Sequence, residues 1–199
     1  MQTVTALYDN YDDARAVVSE LEDAGIDSSD ITIVGRGAVK ETHAGEGAAA
    51  GAGVGAVVGG AGGLLAGLGM LAIPGVGPVV AAGWLAATAA GAAAGAVAGG
   101  AAGGIIGSLT DAGVDEDEAH VYAEGIRRGS TLVSVRVEVD QAVTAQSIIR
   151  DSSPVDIDAR RAVYRDDGWS RFDEASPALT DEEVARERER LRNYRQQMP

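Results

Sequence analysis

Glycine recurs at every fourth position through Gly47, Gly51, Gly55, Gly59, Gly63 and Gly67, and again through Gly91, Gly95, Gly99, Gly103 and Gly107. A glycine in a helix interior is roughly 1 kcal/mol worse than alanine. A strict register of eleven such positions therefore implies an offsetting gain, and close approach of bare helix backbones supplies one. Pro74-Gly75-Val76-Gly77-Pro78, between the two series, reads as a turn. The spacing predicts a Gly/Ala-rich α-helical hairpin over residues 39–112, whose eleven glycines are helix-packing residues for one another or for further copies of the chain.

No charged residue occurs from Gly47 to Thr110, while the whole chain carries a net charge of −14. Acid dominates Asp9–Glu46 and Asp111–Glu124, so the clustered cations that phosphate backbones require are missing and no nucleic-acid partner is expected. The chain has no cysteine, which excludes thiolate nucleophiles and Cys-based zinc sites. His43 and His120 lack ligand-spaced partners and read as surface histidines, so no metal is predicted. Neither the strand-led G-x-G-x-x-G fingerprint nor the G-x-x-x-x-G-K-[ST] phosphate loop is met, so no nucleotide cofactor is expected. Asp12-Asp13 and Asp156 with Asp158 read as surface acids. These readings predict a protein with no cofactor and no catalytic residues, not an enzyme. The N-terminus has no basic region leading into a short apolar stretch, so no secretory signal is expected, and the predicted location is the cytoplasm or the cytoplasmic membrane.

Outside the glycine-rich stretch the periodicity changes. Val4, Ala6 and Tyr8 alternate with Thr3, Thr5 and Leu7 as a strand; Asn10 can cap a helix with Ala14, Val17, Val18, Leu21 and Ala24 on one stripe; Gly25 stops it; and Ile31–Val34 is a second strand. Val133, Val135, Val137 and Val139 alternate with Ser134, Arg136 and Glu138 in a half-buried strand. Asp140 can cap a helix with Ala142, Ala145, Ile148 and Ile149, and Pro154 introduces a last strand through Val155 and Ile157. Two β-α-β halves predict an α+β fold, a ferredoxin-like split β-α-β sandwich over 1–38 and 113–162, interrupted by the hairpin. Asp115–Gly129 reads as a connecting helix with acids at its start and Arg at its end, complementing the helix dipole. Those acids lack the spacing and glycine of a calcium loop.

Residues 163–199 form a charged tail. Thr180-Asp181-Glu182-Glu183 offers a capping box for a helix to about Tyr194, with Val184 and Leu191 as a thin apolar stripe. This reads either as a solvated helix or as a docking tail, in which Trp169 and Phe172 seat on the protein's own body or on another protein.

Residues 47–72 and 78–107 would each exceed the roughly 30 Å hydrocarbon core as helices, so a two-pass insertion is permitted by length. Glycine dilutes the apolar side chains, and the flanking cations Arg36 and Lys40 give a weak orientation signal. Trp84, the hairpin's aromatic residue, would sit at a bilayer interface or fill a gap in an assembly.

Three stretches carry a resemblance. They are Tyr11-Asp12-Asp13-Ala14-Arg15-Ala16-Val17-Val18 with Leu21 and Gly25; Ile31-Thr32-Ile33-Val34; and Gly113–Tyr122 running into Gly125–Val135, the most specific of them. On these the chain resembles the general stress protein family typified by heat-induced stress protein YflT, in a variant interrupted by a glycine zipper. The tail from Trp169 to Arg195 looks like an extension beyond that family's core. The resemblance implies stress-linked expression, no known enzymatic activity and no catalytic residues to carry over.

Two functions are thereby expected. The first is a stress-associated protein that self-assembles as a homo-oligomer through Gly55, Gly59, Gly63, Gly95 and Gly99, at or in the cytoplasmic membrane or as a soluble particle. The second is a soluble ligand-binding or regulatory module.

Overall fold

The computed structural model describes residues 1–36, 69–73, 76–85, 103–173 and 175–197. In chain order the elements are β1 (Gln2–Tyr8), α1 (Tyr11–Asp23), β2 (Ile31–Gly35), β3 (Gly69–Ile73), β4 (Gly77–Ala82), α2 (Gly103–Asp111), α3 (Glu116–Arg127), β5 (Thr131–Val137), α4 (Ala142–Asp151), α5 (Ile157–Asp166) and α6 (Asp181–Gln197). The strands form one sheet in the order β1-β5-β2-β4-β3 with every neighbouring pair antiparallel. The class is α+β.

Local chemistry explains most starts and stops. The Asn10 side chain accepts a hydrogen bond from the Asp13 amide at 2.8 Å, and the Asp115 carboxylate accepts from the Asp117 and Glu118 amides at 2.9 and 3.2 Å. The acids at 115–118 are thus helix-start groups. At α6 the expected box forms, with Thr180 N–H donating to Glu183 Oε2 at 2.8 Å and Glu183 N–H to Thr180 Oγ1 at 3.3 Å.

Strand β5 ends at Val137, and Val139 is exposed. It was expected to be half buried, yet Leu132, Val133, Ser134 and Val135 are all inaccessible, because both faces of the sheet are covered. Helices α1 and α4 cover one face, with Val17, Leu21, Ala145 and Ile149 packing on Ile33, Val133 and Val135. Helices α2 and α3 cover the other, with Leu109, Ala119, Ala123 and Ile126 clustering with Leu7, Val34 and Leu132.

Two expectations are corrected. Pro74–Pro78 does not join two helices. Its Gly77 and Pro78 open strand β4 and pair with Ile73 and Ala72 of β3, so Gly69–Ile73 and Gly77–Ala82 are sheet rather than hairpin helix. Val79 and Ala81 enter one apolar cluster and Val80 and Ala82 the other. A strand buried on both faces is an unbroken apolar run, which periodicity cannot distinguish from a buried helix. Similarly, Val155 and Ile157 do not make a last strand. Asp156 caps α5 through the Ala159 amide at 2.9 Å, and the expected pairing reduces to one hydrogen bond, Val155 N–H to Leu7 O at 2.8 Å. Residues 39–68, 74–75 and 86–102 of the expected helical hairpin lie outside the described residues, whereas Gly103–Asp111 is helical as α2.

After β4 the chain turns at Gly83, with φ of +90°, where an added Cβ would meet the Ile31 carbonyl oxygen at 1.9 Å. This turn brings the Leu85 amide to Thr32 Oγ1 at 3.0 Å and seats Trp84, 9% exposed, under the Arg136 guanidinium at 4.6 Å. Trp84 is therefore a core residue stacked on a cation. Gly83→Ala should lower stability by about 1–3 kcal/mol, from the unfavourable φ and the displaced strand backbone. A fall in the urea midpoint against the parent protein checks it.

Candidate functional site

The expected packing glycines Gly47, Gly51, Gly55, Gly59, Gly63, Gly67, Gly91, Gly95 and Gly99 lie outside the described residues, as does His43. Gly103 opens α2, and a Cβ built on Gly107 meets nothing within 4 Å. Among the described residues no group of three or more His, Asp or Glu could hold a metal, and no helix is long and apolar enough to cross a membrane. Of the two expected docking aromatics, Phe172 is buried in the cluster formed by α2 and α3, and Trp169 meets Tyr164 edge-on, ring centroids 5.7 Å apart.

The densest chemistry gathers where α3 ends against α5 and α6. Glu124, 1% exposed, accepts from Arg127 Nη1 at 3.0 Å and from Arg128 Nε at 2.7 Å. Arg128 continues outward, Nη1 reaching Asp167 Oδ2 at 3.0 Å and Glu187 Oε1 at 2.7 Å, and its guanidinium lies 4.3 Å over the Tyr164 ring. Arg190 closes the circuit on Asp167 at 2.9 Å and on Glu187 at 3.0 Å. Arg188 Nε donates to the Gly129 carbonyl at 2.8 Å, and a Cβ on Gly129 would stand 2.4 Å from Val184. With Val184 and Leu191 buried, the thin stripe of α6 is fully used.

Burial first, then the Arg160 charge acting against it, leaves the Tyr164 hydroxyl pushed up to about 12. The hydrogen bond from Arg190 holds Asp167 below its ordinary range; at Glu187, burial pushes upward but hydrogen bonds from Arg190 and Arg128 prevail and lower it. Arginine stays protonated, and Tyr164 stays neutral at pH 7, so these groups neither shuttle protons nor supply a nucleophile. They clamp the C-terminal helix to the body.

Beside the clamp a cleft of about 130 Å³ opens between Asp9, the Pro154–Asp156 turn, Arg160 and the Leu191–Tyr194 side of α6. Arg160, 6% exposed, donates to Asp9 at 2.6 Å. Metabolite pockets run to roughly 300–1,000 Å³, so the space suits a few waters, and the expected ligand-binding alternative gains nothing from it.

Sequence reasoning passed over Glu124, Arg128 and Arg160. Glu124 and Arg128 stand four residues apart, the spacing of a helical ion pair, and Glu124 lies beside Ala123 and Ile126 of the buried stripe. The Arg160–Asp9 pair joins residues 151 positions apart and has no local signal.

Arg128→Ala should lower stability by about 3–5 kcal/mol, because it strips a partner from a buried carboxylate, and Arg128→Lys should recover part of that, since ammonium cannot bridge three carboxylates as a planar fork does. Calorimetric melting of the three proteins checks both. Asp167 and Glu187 bind protons more weakly folded than unfolded. Their contribution is therefore complete above the unfolded values of 3.8 and 4.5 and is lost as pH falls through the lowered folded values. Acid titration of α6 helicity should place release of the helix in that window.

No curated protein and no solved structure matches the chain. Residues 3–72 match the family model described as the heat induced stress protein YflT domain. That span takes in β1, α1, β2 and β3 as far as Ala72, and so includes the first two stretches of the resemblance; Gly113–Val135 lies beyond it. Over residues 3–72 the chain is similar to the heat induced stress protein YflT domain.

Proposed function

We propose that this is a non-enzymatic, stress-associated protein that self-assembles through its two glycine-rich segments, with the sheet as their common anchor. The supporting observation is the β3–β4 hairpin. It fixes the middle of the uncharged Gly47–Thr110 stretch into the sheet next to β2. The first glycine series thus leaves from the end of β2 and returns at β3, and the second leaves after β4 and returns at α2. Because β3 runs antiparallel to β4 with Gly69 opposite Ala81, the first series returns to the sheet beside the point from which the second departs, and neighbouring attachment points favour small-residue packing between the two. The anchored turn disfavours the two-pass insertion that places it on the far side of a bilayer. Association at a membrane surface is one arm of the test.

The protein should size as a discrete oligomer of its 20.1 kDa chain in light-scattering chromatography, and Gly59→Leu with Gly95→Leu should reduce that oligomer to a single chain. A monomeric parent protein, or an oligomer indifferent to both substitutions, would sink the proposal. Fractionation of the host with carbonate and detergent washes separates a membrane-bound assembly from a free particle.

A further inference from the structure

We propose that the hydrogen bond between His120 and Arg171 is a pH-operated latch: protonation of His120 frees the Gly168–Asp173 segment, with Phe172, from α3 while α6 stays clamped. The inference goes beyond assembly and does not depend on it.

His120 lies one turn into α3, 7% exposed, and its Nε2 accepts the Arg171 Nε–H at 2.6 Å. An acceptor nitrogen carries no proton, so the bond exists only with neutral imidazole protonated at Nδ1, and Nδ1 is buried with no hydrogen-bond partner. A second proton on Nε2 removes the acceptor and sets two cations face to face. Glu116 lies 3.9 Å from Nε2 and also holds Arg171 Nη2, so the protonated ring has a carboxylate ready to take in place of the guanidinium.

The charges acting on the ring are Arg171 from the tail and Glu116 and Asp117 from its own helix. Of the elements packed on α3, α2 carries only Asp111, at its last position, β5 carries only Arg136, which is paired with Asp30 at 3.1 Å, and α5 turns Arg161 to Asp158 at 2.9 Å. Burial and then Arg171 hold the imidazole below its ordinary value of 6.5. The latch therefore holds at neutral pH and opens as pH falls below that value, before Asp167 and Glu187 lose their charge and release α6.

Arg171 is 60% exposed at its side chain, whereas Phe172, the next residue, is 6% exposed and shares a cluster with Ala119 and Tyr122. Arg171 thus holds the Phe172 anchor of this connection from its solvent side. Its loss leaves Phe172, with the Trp169–Tyr164 contact at the start of the segment, to balance the ordering entropy of the segment.

The chain has no cysteine, so Ser170→Cys carries a single nitroxide in the full-length protein, with Glu189→Cys on α6 as the reference position. On moving from about pH 7.5 to about pH 5, the mobile fraction at position 170 should rise, up to about tenfold for each unit separating the docked and released pKa values, while position 189 stays immobile. His120→Gln keeps an acceptor that does not titrate and should stay immobile at both pH values; Arg171→Ala should be mobile at both. Because only two histidines are present, their ring protons resolve the titration directly, and that of His120 should fall below the ordinary value. An immobile label at both pH values in the parent protein, or equal mobilisation in His120→Gln, would overturn the proposal.

Discussion

Burial of β5 on both faces is the constraint from which the rest of the body follows. A central strand with Leu132, Val133, Ser134 and Val135 all closed to solvent needs helices on each side of the sheet, and the chain supplies α1 and α4 to one face and α2 and α3 to the other. One of its hydroxyls is satisfied within the sheet, where Thr5 Oγ1 meets Ser134 Oγ at 2.9 Å, which offsets the desolvation penalty of burying Ser134. Because β1 and β2 both pair with β5, the first and last parts of the sequence are bound together before any of the glycine-rich stretch is considered.

A second layer of organisation comes from arginine. A chain of net charge −14 must hold its acids in place without accumulating repulsion, and Arg128 does so by joining Glu124, Asp167 and Glu187 from three separate stretches of the chain. A buried carboxylate in isolation is strongly unfavourable. Surrounded by planar guanidinium donors it becomes a geometric lock, because each partner's direction is fixed. The apolar contribution of α6 is small, just Val184 and Leu191 within the described residues, so the orientation of that helix depends on charge to an unusual degree. The connection leading to it depends on a neutral imidazole instead, and the two attachments therefore respond to different pH ranges.

The glycine-rich stretch acquires a different meaning once its midpoint is known to be sheet. A free hairpin would move as one lever. Sewn in at β3 and β4, the stretch becomes two segments with ends fixed on the same body, the first running from β2 to β3 within the sheet that also buries Val79 and Val80 and the second from β4 to α2. Fixed ends reduce the conformational freedom that any packing of those segments must overcome.

Much of the body was legible in local sequence. Strand β1, helix α1, strand β2, the Asp115-capped α3 and the boxed start of α6 follow from alternation, capping residues and dipole-matched charge, and these forces act over a few residues and leave a local trace. Two elements did not. Val79 and Val80 in an apolar run, and Val155 and Ile157 either side of Asp156, were each compatible with helix or strand, and the deciding term was which distant surface covered them. The same holds for the Arg160–Asp9 and Arg171–His120 contacts, which have no spacing to read. The sequence by itself determined the α+β class, most element starts and the charge-free glycine stretch, because periodicity and capping are short-range. Only the tertiary structure decided that Gly77–Ala82 is a strand of the sheet, that Glu124 is buried among arginines and that the C-terminal helix lies on the body, because burial and ion pairing between remote residues depend on where the whole chain puts them.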